Sequence, residues 1–152
     1  MVNAKRKAGK TAFKVTVFNR QKDLKISSAA VKKLVRALIE KMDVACEEII
    51  VHFVSQKKIC ALHAQFFNDP SPTDCITFPM DKKLLGEIFV CPKAAIDYGT
   101  EPYLETTLYI VHGLLHLLGY DDIDPKDRQK MRKKEKWCLN FLNENQIKLD
   151  IW

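Results

Sequence analysis

His112-Gly113-Leu114-Leu115-His116-Leu117-Leu118-Gly119-Tyr120-Asp121-Asp122 is the stretch that decides how this chain folds and what it holds. Two imidazoles four positions apart share one face of a helix and stand close enough to grip a single ion. Gly119 can leave that helix in a left-handed turn, which brings the chain back so that a third side chain completes the set. Position favours Asp122 for this role over its neighbours Asp121 and Asp124. Two His and one carboxylate, with a fourth position left for water, is the donor set of a catalytic zinc, whereas a structural zinc is closed and usually rich in cysteine. The competing reading is a pair of unrelated histidines near a helix end, but the spacing, the glycine and the acidic turn together favour the metal. Leu104, Leu108, Val111, Leu115 and Leu118 recur at helical spacing and predict one buried stripe with the histidines beside it.

Zinc peptidases with a similar helical pattern carry a Glu directly after the first His, as general base. Here that position is Gly113, so a metal hydrolase acting on something other than a peptide is expected, with a metal-bound water as nucleophile. No side chain stands out as a catalytic base.

Outward from this motif, 152 residues make one domain with a sizeable core. No apolar run approaches the length of a membrane span, and the basic start lacks a hydrophobic segment behind it, so a cytoplasmic protein is expected. The five cysteines are odd in number and lack Cys-x-x-Cys spacing, which suits reduced, mostly buried thiols. Lys and Arg outnumber Asp and Glu by 25 to 19, and the net charge of +6 leans toward a polyanionic partner. Residues 1–12 read as a flexible basic N-terminus. A second basic cluster, Lys126, Arg128, Lys130, Arg132, Lys133, Lys134 and Lys136, follows the metal motif. Its simplest role is a solvated helix face, but phosphate attraction beside a hydrolytic centre suggests a nucleic-acid substrate. Arg128, Arg132 and Lys133 are the candidate RNA contacts.

Local patterning predicts an α+β fold. Phe13 to Phe18 alternates as a strand, and Ser27 or Ser28 can cap a helix with Val31, Leu34, Val35, Leu38, Ile39 and Met42 inward. Glu48 to Val54 is apolar nearly throughout and predicts a central strand, with His52 a packed core residue. Lys57 to Phe67 reads as a short helix halted by Pro70 and Pro72. Asp74 to Pro79 and Gly86 to Cys91 are strands joined by a charged turn, and Lys93 to Tyr98 is a helical turn. The metal helix is expected from about Glu105 to Leu118. After Pro125 a last helix turns Met131, Cys138, Phe141 and Leu142 inward. Glu135 falls on the same stripe; it could support the metal site, but a half-exposed Glu is the commoner outcome.

Residues Leu62 to Pro79, ending Pro72-Thr73-Asp74-Cys75-Ile76-Thr77-Phe78-Pro79, resemble the Pro-Thr-Asp-Val-Leu-Ser-Phe-Pro signature of the YbeY family, bacterial endoribonucleases that mature ribosomal RNA. Leu85-Gly86-Glu87-Ile88 and the metal motif from Val111 to Asp121 are similar to further segments of that family. The resemblance implies a single YbeY-like metal-dependent hydrolase domain over 1–152, with about four strands flanked by helices and one zinc on His112, His116 and Asp122. It implies single-strand-specific endonuclease activity in late small-subunit 16S rRNA processing and ribosome quality control. The implied partners are ribosomal RNA, the small ribosomal subunit, ribosomal proteins and an Era-type GTPase. An assembly factor that binds RNA and protein with little or no nuclease activity is the alternative. The chain departs from the family in two places. Asp122 stands where the third ligand is usually His, and Phe66-Phe67 stands where the loop before the signature usually carries an aromatic-Arg pair.

Overall fold

The computed structural model describes residues 13–81 and 84–150, so the basic N-terminal segment expected over residues 1–12 lies outside the described residues. Its elements run β1 (Lys14–Arg20), α1 (Ser28–Lys41), β2 (Glu48–Val54), α2 (Gln56–Phe67), β3 (Cys75–Pro79), β4 (Leu84–Val90), α3 (Pro92–Tyr98), α4 (Pro102–Leu117) and α5 (Pro125–Glu144). The strands form one mixed sheet in the order β1-β2-β4-β3. β1, β2 and β4 are parallel, and β3 returns antiparallel along β4 as the edge strand. This is the α+β domain expected.

β2 is central, as its unbroken apolar run requires, and Ile49, Val51 and Phe53 on its helix-covered face are wholly buried. The parallel β1–β2 pair needs a crossover, which α1 supplies. Ser27 caps that helix by accepting the Ala30 N–H at 3.1 Å, and Val31, Leu34, Val35, Leu38 and Ile39 are buried beneath it. Each such side chain contributes roughly 1.5–3 kcal/mol of burial free energy. His52 is a packed core residue, stacked between Phe18 and Phe89 with Nε2 at 2.7 Å from Glu87. All five cysteines are free thiols, and burial pushes the Cys138 thiol up to about 11.

Several expectations need correction. α4 begins a turn before Glu105, because Pro102 suits the first helical position and the Glu101 side chain accepts the Tyr103 N–H at 3.1 Å. Its apolar stripe is also misplaced: Leu104 is 66% exposed and Leu108 half-buried. The buried set includes Thr106, Thr107, Tyr109, Ile110, Val111, Gly113, Leu114, Leu115 and Leu117. The helix lies between the sheet and α5, so it buries far more than one stripe. The helix expected to run to Phe67 does so as α2, with Phe66 and Phe67 in its last turn, and Asn68 ends it in the left-handed conformation at φ 56°. Phe141 on α5 is only half-buried, stacked along Trp137, whereas Glu135 is buried. Among the described residues no helix is long and apolar enough to cross a membrane.

At Gly113 the backbone of α4 lies close against the sheet. A Cβ there would lie 2.7 Å from Ile88 Cγ2 and 2.9 Å from Cys75 Sγ. Helix propensity alone would make Gly113→Ala stabilising by about 0.8–1.0 kcal/mol. Packing reverses the sign: overfilling a tight contact costs typically 1–3 kcal/mol. The variant should therefore unfold at lower denaturant than the wild type, and a raised midpoint would show that the contact relaxes without cost.

Candidate metal centre

The last two turns of α4 set His112 and His116 on one face, with their rings edge-to-face and 4.5 Å apart. Their Nε2 atoms are 3.0 Å from each other. Asp122 Oδ2 lies 3.4 Å from the His112 Nε2 and 3.6 Å from the His116 Nε2. A tetrahedral ion with bonds near 2.0–2.1 Å separates its ligand atoms by about 3.3 Å, and the three observed distances bracket that value. These three residues are the metal-competent group among the described residues. The donor set therefore fits a metal ion.

The chain reaches Asp122 through a helix end that satisfies its own carbonyls. Gly119, at φ +100°, donates its N–H to His116 O at 3.1 Å, and the Tyr120 N–H bonds Leu115 O at 3.0 Å. This 5→2 and 6→1 pair of bonds needs a residue at positive φ, which glycine adopts without steric cost. The other two acidic candidates are spoken for. Asp121 accepts the N–H groups of Asp122 and Ile123 at 2.7 and 3.3 Å, and Asp124 caps α5 by accepting the Lys126 N–H at 2.7 Å. Of these three acids, Asp122 turns its carboxylate to the Nε2 atoms of the two histidines.

Behind His112 stands Glu135, with only 4% of its surface exposed. Its Oε2 lies 2.5 Å from His112 Nδ1, and its Oε1 accepts from Arg132 Nη1 at 2.6 Å. A proton held on Nδ1 by that carboxylate leaves the Nε2 lone pair free for a metal ion held between the three donors. Burial is the largest influence on the Glu135 carboxyl and acts to raise its pKa. Hydrogen bonds from His112 and Arg132, aided by their charges, outweigh it and hold the pKa below its ordinary value. Glu135 thus corrects the expectation of a half-exposed residue: it is a buried carboxylate shared by a candidate ligand and a cation.

A cavity of about 790 Å³ opens beside this corner, with His112, Asp122, Arg132 and Glu135 at one end. A smaller one, about 260 Å³, lies on the other side of His112 between His116, Phe67 and β3. Of the three RNA-contact candidates, Arg132 lines the larger cavity. Arg128 is exposed at the start of α5 and donates to Ile123 O at 3.4 Å, and Lys133 is exposed and lines neither cavity. Phe67 places an apolar ring, 54% exposed, where a basic side chain was expected. Sequence reasoning missed the wall formed by Asp74, Tyr98, Glu105 and Tyr109. A signal existed: Glu105, Tyr109 and His112 recur at helical spacing on α4, so the face that carries the ligand also carries these two.

A family profile described as Endoribonuclease YbeY matches residues 16–143 of the chain. The chain is 49% identical to "Endoribonuclease YbeY" of Protochlamydia amoebophila, over 80% of this chain and 87% of that one. It is 39% identical to the protein of the same name in Chlamydia felis, over 89% and 94% of the two chains. Among solved structures, the solution structure of a Thermotoga maritima protein is similar with a TM-score of 0.57 and 27% identity, over 87% of this chain and 93% of that one.

The Glu135 contact generates a test that needs no catalysis. Glu135→Gln keeps the shape but withdraws the charge that orients His112, and loss of such a supporting group typically weakens metal affinity about 10- to 100-fold. Competition titration with a chromophoric chelator should show that drop. Wild-type affinity in the variant would mean that the contact does nothing for the metal.

Proposed function

The chain belongs to the YbeY endoribonuclease family, and on that premise we propose that it is a zinc-dependent, single-strand-specific endoribonuclease of ribosomal RNA. Its setting would be late maturation and quality control of the small-subunit RNA in the cytoplasm, with the small ribosomal subunit as partner. The observation that carries this reading is the three-donor corner of His112, His116 and Asp122, open on one side to a cavity that also holds Arg132.

Two imidazoles and one carboxylate with an open side match catalytic zinc better than a structural site, which would be closed by a fourth side chain. Zinc bound there would supply a Lewis acid for the phosphate and lower the pKa of water at the open position. The protein's own groups do the rest. His112 and His116 present their Nε2 atoms, and Glu135 keeps His112 in the tautomer that does so. Asp122 adds a negative charge where the family usually has a neutral imidazole, so the ion would be a weaker acid here. Arg132 faces the space a phosphodiester would occupy and can donate to its oxygens. The Glu that serves zinc peptidases as base has no room at position 113, because even a Cβ there meets Ile88 and Cys75. That argues for phosphate rather than peptide chemistry. Exposed Arg128 and Lys133 extend the positive face along α5 for flanking phosphates.

Phe67 at the mouth of the second cavity supports one other reading, an RNA-binding assembly factor without nuclease activity. Zinc-loaded protein should cut a single-stranded ribosomal RNA fragment and leave a duplex of the same sequence largely intact, and His112→Ala should abolish cleavage. A wild-type protein that binds the fragment without cutting it would establish the assembly reading instead. A separate measurement addresses the basic face. Replacing Arg128, Arg132 and Lys133 together by Ala should weaken single-strand binding and lower the slope of log affinity against log salt by up to about 2, at roughly 0.7 per phosphate. An unchanged slope would reduce the cluster to a solvated helix face.

A further inference from the structure

The larger cavity reaches well past the metal corner. Glu105, Leu108, Tyr109 and His112 line it from one face of α4, so its wall extends two turns back from the ligand, roughly 10 Å at the helical rise. The two ends differ in chemistry. At the metal end stands the Arg132 guanidinium, its side chain 60% exposed. One bond to Glu135 leaves this group donors to spare. At the far end stand Tyr98, an aromatic ring 72% exposed, and the half-buried carboxylate of Glu105.

Glu105 is held in place from two sides. The Tyr109 hydroxyl, one turn further along α4, interacts with its carboxylate. Gly99 makes the room: a Cβ there would lie 2.0 Å from Glu105 Cγ and 2.8 Å from Ala95 O. Gly99 sits at φ −95° and ψ 160°, a conformation any residue adopts, so space rather than backbone geometry explains this glycine. A guanidinium beside the metal corner at one end, and an aromatic surface with a fixed acceptor at the other, is the chemical complement of a nucleotide bound to the metal-loaded protein.

We propose that this cavity is a nucleotide subsite that seats a guanylate residue of the RNA, its phosphate on Arg132 and its base against Tyr98 with the pairing edge toward Glu105. A carboxylate accepts hydrogen bonds and donates none when ionised. Guanine alone among the four bases presents two adjacent donors, N1–H and the N2 amino group, on its pairing edge. Adenine and cytosine set a ring-nitrogen acceptor beside their amino group, and uracil flanks its one N–H with two carbonyl oxygens. Each of those edges would turn a lone pair toward an anion. The bidentate pairing favours guanine by charge-assisted hydrogen bonds, and stacking on Tyr98 adds an attraction common to all four bases. The inference takes its RNA substrate from the endoribonuclease reading, but mononucleotides test it independently.

The test is calorimetric titration of the zinc-loaded full chain with GMP, AMP, CMP, UMP and inorganic phosphate. GMP should bind about tenfold tighter than the other three nucleotides, a discrimination expected of one good bidentate base contact. Glu105→Gln should remove the preference and leave inorganic phosphate unchanged, while Arg132→Ala should weaken phosphate and all four nucleotides by a similar factor. Gly99→Ala keeps every charge but displaces Glu105, and should also erase the preference. Equal affinities in the wild type, or a GMP preference that survives Glu105→Gln, would overturn the proposal. The two readings fail separately. A chain that cuts RNA but shows no GMP preference sinks only the subsite, and one that prefers GMP yet never cuts RNA sinks only the nuclease.

Discussion

The contact of α4 with the sheet at Gly113 is the constraint from which the rest of the site follows. Without a side chain, the helix backbone lies directly against Ile88 of β4 and Cys75 of β3. That close seating fixes both the rotation of α4 and its height above the edge strand. His112 and His116, on either side of the glycine in sequence, are thereby aimed past β3 into the cleft rather than into the core. The same contact leaves no space for an acid after the first His. Packing and chemistry therefore make one demand on one position, and a peptidase-type base is excluded by sterics before any question of mechanism arises.

A second dependency concerns charge. Glu135 is an ionised group in the interior of α5, and such a group is costly unless paired and hydrogen-bonded. Both oxygens have a partner, one on α4 and one on its own helix. Replacing the carboxylate by an apolar residue would leave His112 Nδ1 facing the interior without its partner. The bond is the polar link between the two helices that frame the cleft, so α5 contributes to fold and site through one side chain. The short turn between them has the same economy. Gly119 ends α4, Asp121 closes the turn, Asp124 opens α5, and Asp122 is left free to face the two histidines.

Sheet order matters in a different way. Inserting β4 between β2 and β3 pushes the Pro-Thr-Asp segment to the edge of the sheet, next to the helix end that carries the histidines. Thr73 and Asp74, which precede β3, then line both cavities, and the metal corner lies between them. A central position for β3 would have buried these residues and closed the cleft.

Much of this was legible in the chain because it is local. A helical spacing of four, a glycine and an acidic turn name His112, His116 and Asp122, since the geometry joining them spans only about three helical turns of sequence. The cap at Ser27, Pro125 at a helix start and the apolar run of β2 likewise report on their own neighbourhoods. What tertiary structure alone decided involves partners far apart in sequence. The stripe expected through Leu104 and Leu108 was misplaced because periodicity names a face, while the neighbours of α4 determine how many faces are covered. Glu135 reads as an ordinary surface acid until α5 docks and sets it against His112, 23 residues earlier. Tyr98, Asp74 and Glu105 meet around one cavity only because the sheet order and the Gly113 contact bring three separate segments together. Spacing along the chain encodes which side chains point the same way, and only packing determines what they point at.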